Sequence, residues 1–461
     1  MGARHGLVLG GGHAGMLTAT VLARHLDEVT VIERDRLPEA PEDRTGLPQG
    51  RHTHALSGGG VAALDGLLPG VVEELVDAGA RRMRNPEDVL IHTPAGWLPR
   101  YDRMETFLSV SRRLLDWKIR GRVLGNPRVT VRQATDVIGL TGDAGRVTGA
   151  RLRSRETKAF EDLAADLVVD ATGRGSHAPK WLGGIGISQV REELVDPGLV
   201  YVTKVFRALP GAERSFPTVM ISSDPASETP SAGALLLPVE DGRWMLTVTC
   251  RRGVTPPSDD AAFHEFVRGL KNPLLDTIID RAEPLSRLYR YDLTDNRRRH
   301  YDRLRPAPEG FVAIGDAHCS FNPVYGHGMT VATFGALALH GVLAQQGIAP
   351  STARLAQKAV ARATNPVWSM ARRYDIRFRG TRGTNVTVLD RAVQAYDRRL
   401  QRAAMDSREI VAAQISVFEL TGSPSRLLAP QILRQAMRRP RGTGLAEPPL
   451  TEHERAVLGL G

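Results

Sequence analysis

Only two cysteines, Cys250 and Cys319, occur in 461 residues. That is too few for a disulfide framework and too scattered for a zinc cluster, so the chain reads as one made for a reducing cytoplasm. Lysine is also scarce. The basic residues are almost all arginine, spread along the chain and denser in RRYDIRFRGTRG (372–383) and RQAMRRPRGTG (434–444). A net charge of +10 reads first as a solvated arginine-rich surface, with an anionic partner, such as an acyl chain on a carrier protein, as the lesser reading. It is not accompanied by a zinc finger, an RNP motif or a basic heptad, which argues against nucleic acid. The apolar run before the first glycines is only a few residues long and has no signal-peptide architecture. The longest apolar segment, 329–344, contains His340 and reads as too short for a membrane span. Internal repeats and low-complexity linkers are missing too. What remains is a chain long and apolar enough, at 42% hydrophobic, to build more than one lobe.

The first 35 residues carry the clearest pattern. GLVLGGGHAGMLTATVLARHLDEVTVIERD (6–35) runs strand, glycine loop, helix, strand. Gly10, Gly12 and Gly15 fit G-x-G-x-x-G, and Glu33 closes the second strand. The glycines allow a tight turn, close approach of backbone to a pyrophosphate and close helix packing, and the carboxylate suits ribose hydroxyls. RTGLPQGRHTHAL (44–56) has no period, and its histidines match no zinc spacing. SVSRRLLDWKIRGRV (109–123) predicts a helix, 129–154 a strand meander turning at GDAG, and LVVDA a buried strand before the turn TGRGS. Residues 195–290 are mostly β, with LVYVTKVFRAL, PTVMISS, AGALLLPVE and RWMLTVTC, and one helix at DDAAFHEFVRGL. Beyond about 346 the pattern is helical.

GDAHCSFNPVYGHGMT (315–330) links the strand-like GFVAIGD to a long apolar helix. Glycine and proline there serve a tight turn. They also leave a helix N-terminus bare, where backbone N–H groups and the positive dipole end hold electron-rich ligands, while Asp316 can accept from a hydroxyl.

Together GGGHAG with Glu33, DLVVDATGRGS, and GD followed by NPVYGHG resemble the flavin-dependent monooxygenases of the p-hydroxybenzoate hydroxylase type. A narrower set, GLPQGRHTHAL, SRRLLDW, EDGRW, RRRHYDRL, FNPVYGHGM and AEPPL, resembles the epoxidases of polyether-antibiotic biosynthesis. The resemblance implies an α/β fold: a discontinuous Rossmann-like FAD-binding domain (1–85, 105–190, 296–345), an inserted β-sheet substrate domain (86–104, 191–295) and a helical C-terminal region (346–461). It implies FAD as cofactor. Gly10, Gly12 and Gly15 would hold the pyrophosphate, Glu33 the adenosine ribose, Arg112 the phosphate region and Asp316, beside Gly315, the ribityl chain. Pro323, Gly326, His327 and Gly328 would lie along the flavin pyrimidine edge. Arg34, Arg44, Gln49, Val137 and Met329 are further cofactor-binding candidates, and His52 and His54 are candidates near the flavin.

The activity implied is epoxidation of a polyketide-type alkene through a flavin C4a-hydroperoxide. Chemistry of that kind belongs to the cofactor, and an alkene needs no protein base. Tyr201, Phe206, Met220, Leu236 and Met245 are the apolar pocket candidates. The middle motif has Ala-Thr-Gly where aromatic hydroxylases more often have Ala-Asp-Gly, and GGIGIS lacks the spacing for a second dinucleotide. Electrons would therefore come from loosely held NADPH or an external flavin reductase. The tryptophan-rich motif of flavin halogenases is absent. A cyclase in which FAD is scaffolding and an apolar pocket folds a polyene is the alternative, working by holding a reactive conformer.

Overall fold

The computed structural model describes residues 3–102, 104–187, 189–225, 227, 231–270, 272–438 and 444–460. Arg103 and Ser188, and residues 439–443 of the second arginine-rich stretch, lie outside them. The apolar runs LVL, LVV and FVA become strands buried on both faces, as parallel strands are. They lie in a five-stranded parallel sheet in the order Phe311–Ala313, Leu167–Asp170, His5–Leu9, Glu28–Ile32, Val129–Arg132. On one side the helices His13–Leu22, Arg112–Leu124 and Gly328–Gln346 close over it, with Leu17, Leu114 and Leu339 in one core with Val8 and Val169. On the other side an antiparallel meander, Thr135–Gly142, Val147–Ser154 and Phe160–Ala164, packs Leu140 and Leu152 on Leu7, Leu9 and Val168.

A second lobe is a seven-stranded sheet in the order Tyr289–Tyr291, Val200–Arg207, Arg243–Cys250, Gly233–Val239, Thr218–Ile221, Val89–Thr93, Gly96–Trp97. The helices Asp260–Arg268 and Leu274–Ile279 cover one of its faces. Asp259 begins the first of them by accepting the Ala262 N–H at 2.9 Å, which supplies a partner that a helix N-terminus lacks.

Residues 346–461 divide three ways by contact. Thr352–Asp375 joins the first lobe: Val360 enters its core, and the Gln357 side chain bonds both the N–H and the carbonyl of Ala313. Val388–Ala403, Arg408–Phe418 and Pro430–Met437 share a core of their own around Leu400, Ile410 and Ile432. Leu445 then pairs with Trp97, and Glu452–Val457 returns to the sheet lobe, where Glu454 meets Arg100 at 2.7 Å. Helical periodicity reports that a face is apolar, not which lobe it covers.

Gly328–Gln346 corrects the expectation about membrane length. It is 19 residues long and, by length and composition, apolar enough to cross a membrane, the one such helix among the described residues. Half of it is buried against the rest of the protein.

Candidate functional site

The glycine loop comes first. A Cβ on Gly15 would stand 1.8 Å from the Gly10 carbonyl oxygen, so the helix can pack this closely on the strand only with glycine there. Gly12, at the helix start, has open space where a side chain would be. Glu33 sits beside this turn. Its Oε2 accepts the Gly11 N–H at 2.8 Å and meets Arg44 Nη2 at 2.7 Å, while Arg44 Nη1 donates to the Gly11 carbonyl at 3.2 Å. Thr135 N–H donates to the Glu33 carbonyl at 3.0 Å, which brings the half-buried Val137 close to the same end. Arg34 is exposed and reaches across Gly46.

A narrow cleft lined by Arg44, Leu47, Gly50, Arg112, Asp116 and Arg120 among others adjoins a second that reaches Gly11, Gly12 and His13. Gln49 lies on the half-buried 3-10 turn Pro48–Arg51 at its rim. Arg112 opens its helix behind the Ser111 cap and is held by Asp116 at 2.8 Å. Buried polar atoms without partners border this space: Arg44 Nε, Asp116 Oδ2 and His13 Nδ1. A bare helix start, a ribose-suited carboxylate and arginines beside unsatisfied polar atoms are what a dinucleotide pyrophosphate requires. The residues present therefore fit FAD. Sequence reading missed Asp116 and Arg120, although the i, i+4 spacing of Arg112 and Asp116 was available as a signal.

The second half of the site is the turn 315–329. Gly315 has φ +60°, and a Cβ on it would stand 2.8 Å from Ala14 Cβ. This crossing places Asp316 next to the first helix start. On its other side, Asp316 Oδ1 lies 3.9 Å from where a Cβ on Gly328 would be, at the start of Gly328–Gln346. His13 Nε2 bonds Thr333 Oγ1 at 3.0 Å, and Thr333 donates to the Met329 carbonyl at 2.9 Å. The two helix starts and Asp316 thus converge. Desolvation raises the Asp316 carboxyl above its usual range, against the pull of Arg174, Arg112 and Arg299. Pro323 begins a 3-10 turn that ends at Gly326. His327 is buried, bonds the Phe418 carbonyl through Nε2 at 2.8 Å, and is pulled down to about 4 by burial. It links this loop to the helical C-terminal region.

The seven-stranded sheet sorts the five pocket candidates by register. Tyr201 pairs with Thr249, Val205 with Met245, Leu237 with Met245, and Leu235 with both Thr247 and Met220. Directly opposed residues share a face, so Tyr201, Met220 and Met245 lie together. This face meets the first lobe: Thr203 Oγ1 bonds His52 Nδ1 at 2.7 Å and Thr247 Oγ1 at 2.6 Å, and the Tyr201 hydroxyl donates to Asn322 Oδ1. Phe206 and Leu236 are on the opposite face, in the core under the two covering helices. They do not join the site, because alternation sends strand neighbours to opposite sides. Burial pulls His52 down to about 3, with His54 and Arg51 adding to it, and His54 down to about 4, with Arg112 adding.

Comparison with known proteins identifies the family. Residues 5–372 match the FAD binding domain family. Protein Rv3254 of Mycobacterium tuberculosis is 35% identical across 81% of this chain and 80% of its own length. Kynurenine 3-monooxygenase of Salinispora tropica is 27% identical across 71% of this chain and 69% of its own. The solved structure of the flavin-dependent brominase Bmp2 superposes with a TM-score of 0.66 over 94% of this chain and 99% of that one, at 15% identity. That last match is a likeness of fold.

Proposed function

We propose that this chain, which belongs to the FAD binding domain family and takes FAD as its cofactor, is a monooxygenase that epoxidises an alkene of a polyketide-type small molecule. The observation that carries the reading is the sheet face turned toward the flavin lobe. It is apolar at Met220, Leu235, Leu237 and Met245, and among the described residues it offers no effective proton acceptor. The Tyr201 hydroxyl is tied to Asn322 and raised well above its ordinary range by burial. His52, at about 3, is neutral at pH 7 and too weak a base to deprotonate a phenol. An electron-rich alkene asks for positioning and dryness rather than deprotonation.

FAD, reduced and then given O2, supplies the oxygen-transfer chemistry. The chain's residues bind and aim it. In this reading the helix start at Gly12, together with Arg112, holds the pyrophosphate, Glu33 the ribose and Asp316 the ribityl hydroxyls. The helix start at Gly328 faces the pyrimidine edge, where negative charge gathers on reduction. Tyr201, Met220 and Met245 exclude water and orient the substrate, which comes free or tethered to a carrier protein. Two buried free cysteines suit a reducing cytoplasm.

The test is anaerobic reduction of the yellow protein by NADPH, with and without a flavin reductase, followed at the flavin band near ~450 nm. Reduction, then conversion of an alkene to an epoxide one oxygen atom heavier after air is admitted, supports the monooxygenase. Flavin that stays oxidised while a polyene is cyclised overturns it in favour of the cyclase. The binding assignment has its own check: Asp316→Ala should lose FAD on purification.

A further inference from the structure

Behind the loop Asn322–His327 lies a buried polar cluster that the reading above leaves without a task. Asp375 ends the helix Thr352–Asp375 and is fully buried. Its Oδ1 accepts the Tyr325 hydroxyl at 2.6 Å and its Oδ2 the Asn296 amide at 2.5 Å, with the Asn322 amide 3.5 Å from both oxygens. Asn322 extends the chain of bonds. Its N–H donates to Asn296 Oδ1 at 2.8 Å, and its own Oδ1 accepts the Tyr201 hydroxyl from the sheet. One carboxylate therefore gathers the loop, the strand Asn296–Arg299 and the pocket face.

Burial pushes the Asp375 carboxyl up to about 6, even though the Tyr325 and Asn296 bonds, Arg251 and Asn322 all pull it down. Arg251 does not neutralise it: Arg251 Nε and Nη1 are buried without hydrogen-bond partners, and among the described residues no ion pair closes on Asp375. Tyr325 and Tyr201 are both raised well above the ordinary tyrosine range by burial, so they remain neutral donors. The sign follows from linkage. An aspartate raised above its free value of about 3.9 is no burden below that pH, and it costs the fold stability in full above about pH 6. At pH 7 the fold retains a buried anion at its own expense, immediately behind the loop assigned to the flavin.

We propose that Asp375 is a positioning residue for the flavin: its carboxylate holds Tyr325 and Asn322, fixes where Pro323, Gly326 and His327 meet the ring, and ties that loop to Tyr201. This rests on the placement of the loop at the flavin given above. Protonation puts an O–H where an acceptor stood, so three amide and hydroxyl donors face a group that can no longer accept them all. The loop then slackens in acid.

The experiment is reconstitution of apoprotein with FAD, with dissociation constants read by flavin fluorescence from pH 5 to 8, and thermal unfolding of the apoprotein at pH 8. Wild type should bind more tightly as pH rises through about 6. Asp375→Asn should lack that rise and bind about tenfold more weakly at pH 8, while its apoprotein unfolds at the same or a higher temperature. Tyr325→Phe should weaken binding at pH 8 and keep the rise. The proposal is overturned if Asp375→Asn keeps the wild-type rise and affinity, or if its affinity and unfolding temperature fall together, which is what a purely structural residue gives. Asp316→Asn separates the two levels. His327, at about 4, does not titrate in this window, whereas Asp316 is raised and faces the flavin. If Asp316→Asn binds FAD as wild type does, the flavin placement itself fails, whatever Asp375→Asn does.

Discussion

The two faces of the seven-stranded sheet are made from alternate residues of the same strands, yet they answer to different demands. Trp244 and Met245 are sequence neighbours. Trp244 packs with Val202, Phe206 and Leu236 under two helices, whereas Met245 lies beside Val205 and Leu237 on the face that meets the flavin lobe. The covered face is closed by apolar contact, and its cation, Lys204, is met at 2.8 Å by Asp260 on a covering helix. The other face carries hydroxyls, at Tyr201, Thr203 and Thr247, each bonded to a partner. Burial is nearly the same on both: Phe206 is 1% exposed and Tyr201 3%. Burial alone therefore does not mark function; what a side chain is bonded to does.

The largest effect should come from the covered face. Phe206→Ala should cost about 3–5 kcal/mol by leaving a cavity, read by chemical denaturation, with FAD per folded molecule unchanged. A large loss of FAD at intact stability would erase the contrast between the faces. Next comes acid. The His52 imidazole, at about 3 in the fold against 6.5 when free, stays neutral while the unfolded chain takes up its proton. Its contribution is complete above pH 6.5 and drains away as pH falls toward 3, by up to about 3 kcal/mol at pH 4. His52→Gln should make the acid limb of a stability–pH curve shallower, and an unchanged limb would remove His52 from the buried network.

Smaller still, Tyr201→Phe should cost about 1–2 kcal/mol by taking the donor from Asn322, with weaker FAD retention that Phe206→Ala does not share; calorimetry and flavin content measure the two. Last, Met245→Leu keeps volume and should change stability by less than about 1.5 kcal/mol, while shifting KM for the substrate. A KM that does not move would place the substrate elsewhere on the sheet.

The glycine loop, Glu33 and the turn at Asp316 were legible because close backbone approach admits so few residues: at Gly15 the space is already taken by a carbonyl oxygen. Three strands of the parallel sheet followed from the unbroken apolar runs LVL, LVV and FVA, whereas Val129–Arg132, expected as part of the meander, instead pairs with Glu28–Ile32 at the edge of that sheet. Which sheet face meets the FAD-binding lobe was not legible, since alternation separates Tyr201 and Met245 from Phe206 and Leu236 without saying which set looks inward. Asp375 was hidden for a related reason. It stands in RRYDIRFRG among four arginines, where local composition reads as solvated surface, and its burial is created by Asn296, Asn322 and Tyr325 from distant parts of the chain. The three destinations of residues 346–461 were hidden likewise, being set by partners rather than by period.

The pairing of Leu445 with Trp97 has a consequence in time. A ribosome making about 5–20 residues per second delivers Leu445 roughly 20–70 seconds after the hairpin Val89–Trp97 has emerged. Until then the outer strand of the sheet lobe has an open edge, the kind of surface on which unfinished chains pair with one another. The segment 444–460, which pairs with this edge and adds Leu458 to the core beneath the sheet, thus covers it only late in synthesis.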